Sequence, residues 1–434
     1  MKAQGFADLL VERGLDPAER DAKHALFSGV LETWRMTRGD LPQHVWWVPG
    51  RLEVFGKHTD YAGGRALVAA APRGFAVNAS ARNDGIIRVI DAWRGESLEL
   101  SSTLVKADTP DAADERMPGW RHYVVVAARR LAKNFPRQAF GADIVLASDL
   151  PPAAGMSSSS ALVVAIAEAL GRVGAVQKTN EWKMNIRGLL DTAGYYACIE
   201  NGRGFGTLRG DTGVGTHGGS EDHSAILNGR PRHVLGFAFV PARALGAAHV
   251  PDGWQFVVCT SGVKANKTGR AQEAYNRLSA EAAALLKLWN ARGADGPRAV
   301  SLAEALENPG AVDVLRAMAG PLRNRLEHFI REDARIPAAM RAFARRDDDE
   351  LERLSDESQK DAESLLGNQI PETVTLAAAA RKAGAFAACS FGAGFGGAVW
   401  ALVETGAAEA FAKRWGRDAF PVRPGPALTE LSTK

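Results

Sequence analysis

Apolar residues recur along this chain in two registers. Leu9, Leu10, Leu26, Phe27, Val30, Leu31 and Trp34 fall at three- and four-residue steps, which predicts helix across residues 1–40. Short apolar runs punctuated by glycine and proline follow. They predict strands at 45–48, 52–55, 66–70, 75–79 and, with polar alternation, 86–90. A helical pattern at 120–135, a strand at 143–147, an apolar helix at 157–170 and a helix at 182–199 come next. Strands are expected again at 225–227, 234–240 and 255–260. Residues 271–366 keep helical spacing, with the charge run 345–352 as a solvated face, and strands at 385–390 and 398–403 close the pattern.

A chain of 434 residues exceeds the size at which one hydrophobic core keeps growing. The polar stretch 241–254 reads as a linker, so we expect an N-terminal domain at 1–245 and a C-terminal domain at 246–434. A net charge of +3, with acids and bases mixed throughout, gives no basic surface for nucleic acid. Cys198, Cys259 and Cys389 are scattered and form neither a disulfide framework nor a CxxC zinc pattern. The charged N-terminus lacks a signal-peptide core, and no apolar run approaches the ~18 residues of a membrane helix. The expectation is a cytoplasmic protein without membrane partners.

Four segments concentrate chemistry. Residues 48–64, VPGRLEVFGKHTDYAGG, set Arg51, Lys57, His58, Asp60 and Tyr61 between apolar runs. Residues 149–170, DLPPAAGMSSSSALVVAIAEAL, stop a strand with two prolines and open an apolar helix with four serines. Free N–H groups and the positive dipole end of such a helix suit a phosphate; a lone capping serine would be the plainer reading. Residues 390–400, SFGAGFGGAVW, match GxGxxG at Gly392, Gly394 and Gly397. A strand-like run follows them instead of a helix, so the dinucleotide fingerprint does not apply. Residues 218–228, GGSEDHSAILN, place Glu221, Asp222 and His223 beside glycines, where a carboxylate could accept a hydroxyl proton. A surface turn is the bland alternative. No P-loop, protein-kinase set or HExxH occurs. The glycine-rich stretch 201–219 reads as a mobile or ligand-cradling loop.

In this order the segments resemble galactokinases of the GHMP small-molecule kinase superfamily. Their first motif has the form PGRVNLIGEHTDYNGG, against PGRLEVFGKHTDYAGG at 49–64 here. Their PxxxGLSSSA corresponds to 151–160 and their GxGFGG to 392–397, with 328–335 and 275–277 also family-like. The resemblance implies a two-domain α+β fold, an N-terminal α/β domain and a C-terminal α+β domain with the site in the cleft between them. It implies phosphoryl transfer from ATP to a monosaccharide, at the anomeric C1 hydroxyl. Asp222 matches the catalytic aspartate, though relatives read MDQ where this chain reads EDH, and Arg51 matches the catalytic arginine. Gly155, Met156, Ser157, Ser158, Ser159, Ser160 and Gly394 would bind ATP. Ser159 and Glu200 would hold Mg²⁺. Lys57, His58, Asp60, Gly219 and Tyr275 would bind the sugar.

One substitution departs from the family. Lys57 stands where galactokinases carry a glutamate that accepts a bond from a sugar hydroxyl near C6. Lysine has donors only and the opposite charge. The expectation is an acceptor or anion on the substrate, such as the carboxylate of a uronic acid, with Arg203 and Arg209 adding charge if the glycine-rich stretch closes as a lid. The alternative is that Lys57 swings to solvent or pairs with Glu221 and the sugar is neutral. Two other readings remain: a galactokinase-like sugar and ATP sensor with little catalysis, and a GHMP kinase for a non-sugar alcohol such as mevalonate or homoserine.

Overall fold

Two glycine-punctuated runs near the start each fold as one continuous strand, where the sequence predicts four short ones. β1 spans His44–Phe55 and β2 spans Arg65–Ala81. Glycine is what lets the chain pass without breaking. A Cβ on Gly74 would lie 2.2 Å from the Val48 carbonyl oxygen, and one on Gly50 would lie 2.6 Å from that of Met156. Only bare backbone fits either place. The antiparallel pairing shifts register between Pro49 and Arg51 and again between Glu53 and Phe55. Such irregularities re-aim side chains beside a site.

The computed structural model describes residues 3–101, 117, 119–152, 154–263, 270–292 and 298–431. β3 (Ile86–Asp91), β4 (Glu96–Ser101), β5 (Ala142–Ser148), β6 (His233–Ala238) and β7 (Arg243–His249) extend the first sheet. β8 (Trp254–Thr260), β9 (Ala387–Phe391), β10 (Ala398–Glu404) and β11 (Phe420–Val422) form a second, in the order β11-β8-β10-β9. β12 (Thr429–Glu430) returns to the first, whose order is β12-β1-β2-β5-β3-β4, with β6 on β2 and β7 on β6. β3 and β5 pair in parallel.

Period-two alternation sorts β1 between two cores. Trp46 and Val48 face the core shared with the apolar helix Ser158–Val173, whereas Val45 and Trp47 join Leu26, Phe27, Val30 and Trp34 of Arg20–Arg38. Helices Arg323–Arg345 and Asp348–Asp361 carry much of the C-terminal half. The halves meet where Trp400 Nε1 donates to the Val54 carbonyl at 3.2 Å and packs edge-on against Phe55.

Three expectations change. The helix foreseen at 182–199 is two, Asn180–Asn185 and Leu189–Asn201, because Ile186 and Gly188 are extended. The strand expected at 225–227 is part of a helix, Glu221–Asn228, whose first turn carries two acids that favour a helix N-terminus. A short apolar run does not distinguish the two forms by itself. The 241–254 linker contains β7, whose small, mostly exposed residues give no alternation. A boundary at 245/246 therefore cuts a strand, and the crossing between sheets falls between β7 and β8. Among the described residues, no helix is long and apolar enough to cross a membrane.

Candidate active site

Arg51 lies between the two irregularities of β1, and it reaches Asp222 at the start of Glu221–Asn228. Its Nε donates to Asp222 Oδ1 at 2.7 Å, and its Nη1 donates to the Gly155 carbonyl at 2.6 Å. The backbone N–H of Arg51 donates to the Met156 carbonyl at 3.2 Å, so this residue fastens the serine loop to β1 through both its backbone and its side chain. Burial opposes the guanidinium charge, but Asp222, Glu53 and Glu221 outweigh it and hold the pKa above its ordinary value. Asp222 keeps 17% of its side chain exposed, enough to meet a ligand.

Two serines of the loop differ in their surroundings. Ser160 Oγ lies 2.8 Å from Glu200 Oε2 and 3.0 Å from Asp222 Oδ2, so its single O–H is shared between the two carboxylates. Ser159, the serine expected at Mg²⁺, lines the cavity without a comparable bond among those described. Ser157 precedes the helix in a left-handed conformation, φ 59°, and its buried hydroxyl has no partner among the described residues. Met156 is buried and contributes its carbonyl to Arg51 rather than a cavity surface.

Asp60 occupies the far side of Asp222. Its carboxylate accepts from the backbone N–H groups of Tyr61 at 2.7 Å and Glu221 at 3.2 Å. Gly219 is what allows this approach, since a Cβ there would lie 2.4 Å from Asp60 Oδ2. Burial raises the Asp60 pKa, while the N–H bond from Glu221 works against that rise. Tyr275 closes the pocket over His58, with ring centroids 5.0 Å apart. His58 itself is committed elsewhere. Nδ1 pairs with the Tyr61 hydroxyl at 2.9 Å and Nε2 with the Ala393 carbonyl at 3.0 Å. Burial drives its pKa down to about 3, so the ring is neutral; Nε2–H donates to Ala393 and Nδ1 accepts from Tyr61. His58 lines the cavity while both its ring nitrogens join the HTDY turn to the glycine hairpin.

Lys57 does not face the pocket. Its side chain runs into the C-terminal half, where Nζ meets Ser358 Oγ at 2.9 Å, Cys389 Sγ at 3.1 Å and Glu332 Oε1 at 4.0 Å. Glu332 also accepts from the Gly56 N–H at 2.9 Å and from Arg335 Nη1 at 2.8 Å. Burial alone would raise its pKa, but Lys57 and Arg335 push it down to about 2. Burial likewise works against the Lys57 charge, and Cys389, Glu332 and Glu53 overcome it. The anionic-substrate expectation for Lys57 loses its basis. So do the solvent and Glu221 alternatives, because the ammonium has a buried counter-ion of its own.

The glycine-rich stretch is held in place. Buried Arg130 donates to the Cys198 carbonyl at 3.2 Å and pairs with Asp211 at 3.1 Å, and Asn134 Nδ2 donates to the Arg209 carbonyl at 3.0 Å. Arg203 and Arg209 are exposed and lie outside the cavity lining in this conformation. Val214, Gly215, Thr216, Gly218 and Gly219 do line it. In the C-terminal hairpin Gly392 and Ala393 reach the cavity, whereas Gly394 abuts Asn368, whose carbonyl would lie 2.4 Å from a Cβ there.

These groups border one cavity of about 1770 Å³. Asp60, Asp222 and Ser157–Ser160 line it together with Trp93, Trp120 and Leu146. The last three went unread in the sequence, because they come from distant segments and form no motif. Among the described residues, no three His, Cys, Asp or Glu side chains converge as a closed metal cage. Mg²⁺ needs only one or two protein oxygens beside waters and phosphates. Glu200 with a serine of the loop fits that requirement.

Three family descriptions match the chain: "Galactokinase galactose-binding signature" at residues 35–81, "GHMP kinases N terminal domain" at 122–196 and "GHMP kinases C terminal" at 339–422. The chain is similar to the galactokinase of Roseiflexus sp., 30% identical over 388 residues, spanning 88% of each protein. It is 27% identical to that of Streptomyces coelicolor over 400 residues, 90% of this chain and 92% of the other. In fold it resembles Lactococcus lactis galactokinase complexed with galactose, with a TM-score of 0.74 at 22% identity over 93% of this chain and 99% of that one. Methanococcus jannaschii mevalonate kinase shares the fold more loosely, with a TM-score of 0.57 at 15% identity, over 89% and 99% of the two chains.

Proposed function

The chain belongs to the galactokinase family of GHMP kinases, ATP-dependent sugar kinases, and from that premise we propose that it phosphorylates a neutral hexose, galactose or a near relative, at the anomeric C1 hydroxyl. The observation that carries this reading is the chain of contacts Arg51–Asp222–Ser160–Glu200, open on one side to Asp60 and on the other to the serine loop.

Asp222 is positioned to take the proton of the sugar hydroxyl. Arg51 donates to one of its oxygens and the Ser160 hydroxyl, shared with Glu200, lies against the other, which favours the ionised form and fixes its direction. Asp60 would accept from sugar hydroxyls with the lone pairs its two N–H bonds leave free, and Tyr275 would cover the ring. The first N–H groups of Ser158–Val173 lack helical partners and would hold phosphate oxygens. Mg²⁺, held by Glu200 and a loop serine, supplies charge neutralisation on the phosphates when bound. The nucleobase would lie toward Trp93 and Trp120. With Lys57 paired inside the protein, nothing here favours a uronate over a neutral sugar.

The test is ADP release from Mg-ATP with galactose, galacturonate, glucuronate, N-acetylgalactosamine and arabinose, with Asp222→Asn as control. Turnover of galactose or a neutral relative, with a phosphate on C1 by NMR, is expected. No turnover of any sugar above the control would overturn the reading.

A further inference from the structure

The mechanism above uses one acid beside Arg51, yet the structure puts three there. Glu221 Oε1 lies 3.6 Å from Arg51 Nε, and Glu53 Oε2 lies 3.6 Å from Arg51 Nη2. Both side chains are about 95% buried, and among the described residues Oε1 of each has no hydrogen-bond partner. Glu53 is two residues from Arg51 on β1, and Glu221 directly precedes Asp222, so the two flank the guanidinium from different elements. Set against the motifs above, Glu53 takes the place of the family asparagine and Glu221 that of the methionine in MDQ. Both replacements exchange a neutral side chain for an acid at the same guanidinium.

We propose that Glu53 and Glu221 are positioning residues that clamp Arg51 from two sides and, by keeping a proton between them, leave its guanidinium turned to Asp222. The idea rests on the kinase reading of this site. One buried cation that already serves the half-buried Asp222 does not also balance two fully buried carboxylates at this distance. The groups facing the pair are Arg51, Lys57, Asp60, Asp222 and Glu332. Lys57 is already answered by Glu332, and Asp60 adds a like charge. Burial raises the pKa of both glutamates, and each raises the other or is raised by Asp222. As pH climbs, the retained proton leaves. The second charge then competes with Asp222 for Arg51 and turnover falls.

The experiment measures kcat and KM against pH at saturating Mg-ATP for the unaltered chain, Glu53→Gln and Glu221→Gln. The unaltered enzyme should lose about tenfold in kcat per pH unit on the alkaline side, the limiting slope of one ionisation. Each glutamine variant should lack that limb or shift it upward, with KM for both substrates little changed. A merely structural role would lower kcat evenly across pH. Infrared spectra of the unaltered protein test the same point without substitution. At neutral pH a protonated-carboxyl stretch should appear and should move with ¹³C-labelled glutamate, which separates it from Asp60. An unchanged alkaline limb in both variants, or no glutamate-derived band, would overturn the clamp. Should no sugar turn over above the Asp222→Asn control, the kinase reading fails while the infrared band still decides the clamp.

Discussion

Lys57 is the residue whose meaning changed most between sequence and structure. Its place in GKHTDY marked it as a substrate contact, but a side chain after a strand end takes the direction its turn gives it. His58 is left-handed, φ 58°, and the Lys57 ammonium has Glu332, Ser358 and Cys389 as near neighbours. The sequence carries no sign of a counter-ion 275 positions away. Lys57→Glu would therefore set two carboxylates together in the interior instead of restoring a galactose contact. We expect a loss of about 3–5 kcal/mol, read as a lowered denaturation midpoint; a stable variant with improved galactose turnover would refute the pairing. Asp222 and Arg51 were legible because their motifs fix both identity and direction. Ser160 was read only as an ATP contact, and its place beside Asp222 and Glu200 was not legible, since four equal serines differ only in helical phase. Asp222→Asn should lower kcat by about 10²–10⁴ while calorimetry shows ATP still bound. A variant within tenfold of the parent would remove Asp222 from proton transfer.

At the scale of elements, glycines decide how close the polar groups come. The sequence showed where glycines cluster, and the strands beside them were mostly legible from alternation. It did not show which glycine faces what. Gly394 sits in the hairpin motif yet meets Asn368, while Gly219, in a stretch that reads as loose, backs directly onto Asp60. Gly219→Ala would drive a methyl group into the Asp60 carboxylate and tilt it from the pocket. The sugar KM should rise by about tenfold or more, the cost of displacing one hydrogen-bonding group by a fraction of an ångström. KM for ATP should change far less. Equal changes in both would mean the stretch responds as a whole and Gly219 has no special place. The same stretch reads as mobile for want of apolar residues, but Arg130 secures it by polar bonds that periodicity does not register.

Across the whole molecule the buried charges divide into two groups with opposite dependence on pH. Glu332, with Lys57 and Arg335, joins the HTDY turn to the C-terminal helices, and its pKa falls from an ordinary 4.5 to about 2. The unfolded chain then binds the more protons between these values. Stability from this group is complete above about pH 4.5 and drains away as pH drops toward 2, a contribution of order 3 kcal/mol. Glu53, Glu221 and Asp60 are displaced the other way, chiefly by burial. The folded chain binds the more protons there, so each step of pH above the ordinary carboxylate range weakens the fold until these groups have ionised. Together they place the stability maximum on the acid side of neutrality. Calorimetric midpoints from about pH 3 to about pH 9 should rise steeply, peak and decline. Glu53→Gln and Glu221→Gln should flatten the decline and keep most of the acid limb, because Glu332 retains Lys57 and Arg335 as its partners. A midpoint that holds level above pH 6, or an alkaline decline equally steep in both variants, would show that the active-site acids do not govern the stability of this fold.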